Sequence, residues 1–134
     1  MQTFIEIIIG VIFAIGFVFY ARRAKNYRGE KIFYAIGLGI AAMIYVVFGF
    51  FSSSNDWILI ELGGLLIYLP FAVLGVRFSG WFLSFGWLLH VVWDLVLHNQ
   101  SVNFVPDFYP SLCLGFDVLI AGYVCYREIK LKYV

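Results

Sequence analysis

Residues 87–98 read Trp-Leu-Leu-His-Val-Val-Trp-Asp-Leu-Val-Leu-His and place three ionisable side chains within an otherwise apolar segment. His90, Asp94 and His98 follow one another at intervals of four residues, so in an α-helix all three lie on one face. An ionisable side chain inside a membrane costs several kcal/mol unless it has a partner, water or a bound ion. This stripe is therefore the first candidate for a functional site.

The rest of the chain has the composition of a membrane protein. Of its 134 residues, 63% are hydrophobic and 13% are charged, whereas soluble domains average about half apolar and a quarter charged. Five apolar runs each approach the roughly 17 to 25 residues that cross a hydrocarbon core. They cover residues 3–20, 32–51, 57–76, 81–98 and 111–126. We predict an all-α fold, a polytopic membrane bundle of five transmembrane helices that forms a single domain over residues 1–134.

The basic residues predict the orientation of this bundle. All nine Lys and Arg lie between the first and second runs, between the third and fourth, or after the fifth. Because positive charge concentrates on the cytoplasmic side of membrane proteins, we expect the amino terminus outside and the carboxyl terminus in the cytoplasm. No basic tract suggests nucleic-acid binding, and we expect no nucleic-acid partner.

In this topology the ionisable side chains of the spans gather at similar depths. At helical rise they lie between the outer boundary and about 12 Å below it, and the inner half is predicted to contain none. The simplest arrangement is a polar cavity that opens outward among membrane lipids. The set comprises Glu6, Glu61, His90, Asp94, His98 and Asp117.

Carboxylates and imidazoles at one depth match the ligands of a divalent metal, because zinc, iron and manganese all accept His nitrogen and carboxylate oxygen. All six residues are candidate ligands. His90 and His98 lie about 12 Å apart along the helix and are too distant to share one ion. Either His90 with Asp94 or Asp94 with His98 binds it, or Asp94 bridges two ions. A carboxylate that moves protons is also required, and the candidate catalytic residues are Asp94, Asp117 and Glu61.

Structural roles are the alternative for each residue. Glu6 has the position of an interfacial side chain, and His98 could cap its helix or face water. His90 and Asp94 could form a hydrogen-bonded pair that fastens two helices. No Lys or Arg lies on the same side of the membrane to pair with them in the predicted topology, which favours a functional role.

Three functions remain open. A membrane-embedded metal-dependent enzyme, a hydrolase or an oxidase, would act on a lipid-like or lipophilic small-molecule substrate from the outer half of the bilayer. A proton- or cation-coupled transporter or channel subunit would use the same acids and His, and a homodimer would supply the room that five helices lack. A non-catalytic cofactor-binding or assembly subunit would hold a haem, a quinone or a partner helix. We take the enzyme as the first hypothesis, although no G-x-S-x-G, H-E-x-x-H or C-x-x-C motif narrows its chemistry.

One motif also carries a resemblance. The pattern W-x-x-H-x-x-W-D-x-x-x-H, from Trp87 to His98, resembles a segment of small uncharacterised bacterial integral membrane proteins that form a domain-of-unknown-function family. This resemblance implies a bacterial inner (plasma) membrane as the location and implies no activity. A fainter similarity points to the alkaline-ceramidase-like membrane metallohydrolases, whose zinc site contains His, Asp and a nearby Ser. The present chain departs from them in its five predicted spans and in Asp94, where an H-x-x-x-H pair would have its second His.

Overall fold

The computed structural model describes residues 1–51, 55–98 and 105–133. These residues form five α-helices and one π-helical turn, and they confirm the all-α class. The helices are α1 (Gln2–Ala21), α2 (Tyr27–Phe50), α3 (Asn55–Arg77), α4 (Gly80–Trp93) and α5 (Tyr109–Tyr133). The π-helical turn, Asp94–His98, continues α4 directly.

Polar residues at the helix ends explain where two helices begin. Asn26 precedes α2, and its side-chain oxygen accepts a hydrogen bond of 2.8 Å from the backbone N–H of Gly29. Ser79 precedes α4 and accepts a bond of 3.3 Å from the N–H of Trp81. Both satisfy a backbone donor that the first helical turn leaves free. Helix α2 therefore begins at Tyr27, before the apolar run that starts at residue 32.

The surface of the bundle has the character expected for contact with hydrocarbon. In the part of the chain that the structure describes, α1, α2 and α3 are long and apolar enough to cross a membrane, and Gly80–Val96 is a shorter apolar helix. Large apolar side chains are exposed on these helices, including Ile12 at 61% and Leu66 at 70%. Soluble proteins rarely expose apolar surface continuously. These features indicate a membrane protein, while the five-span topology and its orientation stay predictions.

The packing of the helices follows a different order from the sequence. Helix α1 packs mainly against α5, α5 against α4, α4 against α3, and α3 against α2, whereas α1 and α2 make few contacts. Small residues bring α1 and α5 together: a Cβ atom on Gly10 would overlap the carbonyl oxygen of Leu112, and one on Gly115 would overlap that of Ile7. Such close approach is a common way for helices to associate in membranes. The bundle is consequently left with a groove between α1 and α2.

Candidate metal centre

Three ionisable side chains meet inside the bundle. His90 of α4 lies with its Nδ1 atom 2.6 Å from Oδ2 of Asp117 on α5 and 3.6 Å from Oδ2 of Asp94 at the start of the π-helical turn. One potential ligand atom from each residue lies within 4.8 Å of the other two. All three residues are at most 1% exposed. We refer to His90, Asp94 and Asp117 as the triad.

A hydrogen bond joins the two helices that carry the triad, and a change of helix type occurs at Asp94. The hydroxyl of Ser84, on the buried face of α4, donates a hydrogen bond of 2.9 Å to the carbonyl oxygen of Ala121 on α5. Asp94 is the residue at which α4 gives way to the π-helical turn. Single π-helical turns within helices are frequent at functional sites. His90 and Asp94 still lie one turn apart and point to the same place.

In the described ranges, the triad is buried without a Lys or Arg side chain beside its two acids. Among the described residues, Nε2 of His90 has no hydrogen-bond partner, while the hydrogen-bonding neighbours of the Asp94 carboxyl are Tyr45 and Asp117. Within the same ranges, the acids of the triad form ion pairs with His90 and with no Lys or Arg. Buried carboxylates normally require hydrogen bonds, paired charge or a metal. The two acids of the triad therefore have the negative charge that a bound cation would compensate.

Aromatic side chains form the wall around the triad. The rings of Tyr45 on α2 and Tyr68 on α3 lie 5.6 and 5.3 Å from the His90 ring, measured between centroids. Both tyrosines are almost fully buried and are close enough to Asp94 to interact with it electrostatically. The wall excludes water from His90 and strengthens every electrostatic interaction within the site.

Glu61 lies next to the triad without belonging to it. Its side chain is 2% exposed, and its Oε2 atom accepts a hydrogen bond of 3.2 Å from the indole N–H of Trp93. It is close enough to His90 to interact electrostatically. Glu61 is thus placed to influence His90, whereas the closest grouping of potential ligand atoms consists of the triad alone.

Of the two remaining sequence candidates, Glu6 is not brought into the triad, and the structure does not describe the side chain of His98. Glu6 is partly exposed on α1 and lies outside the described group of potential ligands. The side chain of His98 lies outside the residues whose side chains the structure describes. Its predicted role as a ligand, alone with Asp94 or across two ions, therefore stays a prediction.

A second polar cluster occupies the opposite end of the bundle. Glu30 on α2 is 3% exposed, accepts a hydrogen bond of 2.8 Å from the hydroxyl of Tyr34, and forms an ion pair of 3.1 Å with Arg127 on α5. The prediction that the inner half of the membrane contains no ionisable side chain stays a prediction, because Glu30 precedes the second apolar run. Hydropathy places Glu30 outside the second apolar run, but α2 begins before it and Arg127 compensates its charge. The two clusters differ chemically, because Glu30 has an Arg partner and the acids of the triad do not.

Comparison with known proteins identifies the family of the chain. The sequence model of one family matches residues 5–129. The chain belongs to DUF6010, a family of unknown function. This confirms the predicted membership of an uncharacterised family, while bacterial origin and likeness to alkaline ceramidases stay predictions. No curated protein matches the chain, and no solved structure matches it.

The triad of this family member fits a single metal ion with small adjustments. Ligands at about 2.0 to 2.2 Å from a tetrahedral ion lie about 3.3 to 3.6 Å apart. If Nδ1 of His90 is the ligand atom, its distance of 3.6 Å to Oδ2 of Asp94 meets this spacing, and a metal would replace its 2.6 Å hydrogen bond to Asp117 with a spacing up to about 1 Å longer. One nitrogen and two carboxylate donors suit zinc, iron or manganese. Three protein ligands leave one coordination position open, as in catalytic zinc sites.

Two residues of the wall, Tyr68 and Trp93, were not predicted to take part. Tyr68 lies two helical turns from Glu61 on the same face of α3, with Gly64 between them. This spacing was a signal that the tyrosine faces the site. Trp93 precedes Asp94 in the motif, but its hydrogen bond to Glu61 depends on the packing of α3 against α4, which the sequence does not reveal.

Proposed function

We propose that the protein is a membrane-embedded metal-dependent enzyme whose metal ligands are His90, Asp94 and Asp117. The observation that carries the proposal is the triad itself: three potential ligand atoms within 4.8 Å, buried, and with no Lys or Arg ion pair among the described residues. The proposed substrate is lipid-like or lipophilic, because the surroundings of the site are apolar side chains and, in a membrane, hydrocarbon. Zinc, iron and manganese remain the candidate metals.

The open coordination position favours an enzyme over a structural metal site. A bound ion would supply Lewis-acid activation of a substrate or of water, or redox chemistry if the metal is iron or manganese. His90, Asp94 and Asp117 would hold it. Glu61, held by Trp93 at 3.2 Å, is the acid that we assign to proton transfer near the site.

The membrane topology belongs to the same proposal. Five spans with the amino terminus outside place the triad in the outer half of the bilayer and the cluster around Glu30 toward the cytoplasm, where the basic residues lie. The proposed location is a bacterial inner membrane. A lipid substrate would then reach the centre from the outer leaflet.

An apolar layer argues against the alternative of a proton or cation pathway through the monomer. Leu38, Leu83, Trp87 and Ile120 are completely buried and lie, along their helices, between the triad and the cluster around Glu30. A conducting route needs polar groups or water across this layer. These four residues belong to the hydrophobic core, and the hydroxyl of Ser84 at the same level is bound to the carbonyl oxygen of Ala121.

Metal analysis of the purified protein tests the proposal. The protein is expressed with zinc, iron or manganese in the medium, purified in detergent, and measured for bound metal per chain by mass spectrometry. We expect one ion per chain in the natural sequence and its loss in Asp94→Asn and in Asp117→Asn, since each substitution removes an anionic ligand of similar shape. Glu6→Gln is the matched control, because it neutralises an acid that lies outside the triad, and it should retain the ion.

The enzyme assignment has its own readout. Protein in vesicles made from a bacterial lipid extract is incubated with the metal that it retains, and the lipids are compared by mass spectrometry with those from the Asp94→Asn sample. A metal-dependent change in lipid composition is expected. A protein that purifies without stoichiometric metal under all three conditions refutes the metal centre, and bound metal without any lipid product refutes the enzyme.

A further inference from the structure

A groove runs along the side of the bundle where α1 and α2 separate. Its volume is about 620 Å³, within the range of about 300 to 1,000 Å³ typical of small-molecule sites. Side chains and glycines from α1, α2 and α5 line it. Representative lining residues are Ile12, Gly16, Ile40, Ile44, Cys113 and Asp117.

The groove and the proposed metal centre share one residue. Among the described residues that line the groove, Asp117 is the only charged one. The same carboxylate is 2.6 Å from His90, so Asp117 stands between the apolar groove and the triad. Because Asp117 is 1% exposed, a molecule in the groove would contact the carboxylate over a small area. A groove that ends at one acid of a metal site has the layout of a substrate channel.

The dimensions and chemistry of the groove favour one class of occupant. On α5 the lining extends from Tyr109 to Asp117, about 12 Å at helical rise. This length lies within one leaflet, since the whole hydrocarbon core is about 30 Å thick. The rim is formed by exposed apolar side chains such as Ile12 and Phe13. A flexible hydrocarbon chain matches such a groove, whereas a polar metabolite would leave its hydrogen-bonding groups unsatisfied.

We propose that the groove binds the acyl chain of a membrane lipid and brings the lipid's reactive group to Asp117. This inference rests on the proposed function, because it names the substrate class of the same centre. The sparse contact between α1 and α2 would then have a functional role, because it leaves the groove accessible from the side. The occupant would enter from the bilayer without passing through water.

Gly16 offers a precise way to fill the groove. A Cβ atom added there would meet no other atom within 4 Å, so Gly16→Leu extends into open space instead of into a neighbouring helix. Gly122 on α5 is equally open and does not line the groove. Gly122→Leu is therefore the matched control, with the same chemical change on another face. Gly16→Ala is a smaller addition that keeps the test informative if the leucine variant does not fold.

Photolabelling provides the readout. The protein is reconstituted in vesicles of phosphatidylethanolamine and phosphatidylglycerol that include a phosphatidylethanolamine with a diazirine in one acyl chain. It is then washed in detergent, so that only retained lipid remains, and irradiated, and the labelled residues are identified by mass spectrometry. We expect labels on groove residues such as Ile12 and Ile44, their loss in Gly16→Leu, a partial decrease in Gly16→Ala, and no change in Gly122→Leu.

The outcomes distinguish this inference from the proposed function. Labelling that is equal on the groove and on the exposed residues Leu66 and Val73, or that persists unchanged in Gly16→Leu, refutes lipid binding in the groove. Cross-links between two chains at groove positions also refute it, because a second copy would then occupy the groove. Asp94→Asn should keep the groove label while losing metal. In the natural sequence, a labelled groove without bound metal would refute the centre alone, and bound metal without a labelled groove would refute the groove alone.

Discussion

Replacement of Gly64 by alanine tests whether α3 and the wall of the triad are packed as described. A Cβ atom on Gly64 would lie 2.8 Å from Cζ2 of Trp93 and 3.1 Å from Cε2 of the same ring. Carbon atoms in contact normally lie about 3.5 to 4.0 Å apart, so the indole would have to move by about 0.7 Å. Its N–H already donates to Glu61 over 3.2 Å, and this movement would weaken or break that bond.

Substitution of the neighbouring Gly63 provides the reference value for the free energy of unfolding. A Cβ on Gly63 meets nothing within 4 Å, so Gly63→Ala retains only the intrinsic helical advantage of alanine over glycine, about 1 kcal/mol. Gly64→Ala has the same intrinsic gain and adds the cost of overpacking, about 1 to 3 kcal/mol. The free energy of unfolding of Gly64→Ala should therefore lie about 1 to 3 kcal/mol below that of Gly63→Ala. This difference corresponds to a factor of about 5 to 150 in the unfolding equilibrium constant.

Equilibrium unfolding in mixed micelles measures this difference. Both variants are titrated with sodium dodecyl sulfate, and unfolding is followed by helical circular dichroism and by tryptophan fluorescence. The fluorescence of folded Gly64→Ala should also differ from that of Gly63→Ala, because Trp93 changes its surroundings. Equal stability of the two variants would show that the indole of Trp93 does not pack on Gly64, and the position assigned to Glu61 beside the triad would lose its support.

Two further predictions use the same unfolding measurement. Ser84→Ala should lower the free energy of unfolding by about 0.5 to 1.5 kcal/mol, because it removes the 2.9 Å bond to the carbonyl of Ala121; an unchanged value would contradict its role between α4 and α5. Glu30→Gln should cost about 1 to 3 kcal/mol, below the cost for a fully buried pair because the Arg127 side chain is 24% exposed. The same variant should leave bound metal unchanged, and a change in metal content would show that the apolar layer does not separate the two clusters.

The sequence predicted the helices and the main members of the triad for a simple physical reason. Apolar runs show where helices lie, and helical rise converts residue number into depth, so His90, Asp94 and Asp117 could be placed at similar levels. Depth does not determine which helices are neighbours. Glu6 shares that depth, but it is partly exposed on α1 and lies outside the triad. Contacts between residues far apart in the chain decide which of the candidate residues meet in the triad.

Two features were beyond the reach of hydropathy and regular helical geometry. Glu30 is charged and therefore lies outside the apolar run of α2. It is nevertheless buried, and it pairs with Arg127, a residue 97 positions away in the chain. The predicted stripe assumes regular α-helical spacing from His90 to His98. The π-helical turn that begins at Asp94 interrupts this spacing. The sequence pattern thus identified Asp94 as a central residue but could not predict the π-helical conformation of the backbone at this position.

The pairing of α1 with α5 also has a consequence for the order of biogenesis. Of the five helices described, α1 precedes the others in the chain, yet the helix on which Gly10 packs follows all of them. The wall that α5 contributes to the groove, and Asp117 with it, would be missing from a nascent chain that ends after α4. Until α5 is made, His90 and Asp94 are without their third partner, so the triad assembles only after α1 to α4 have been synthesised.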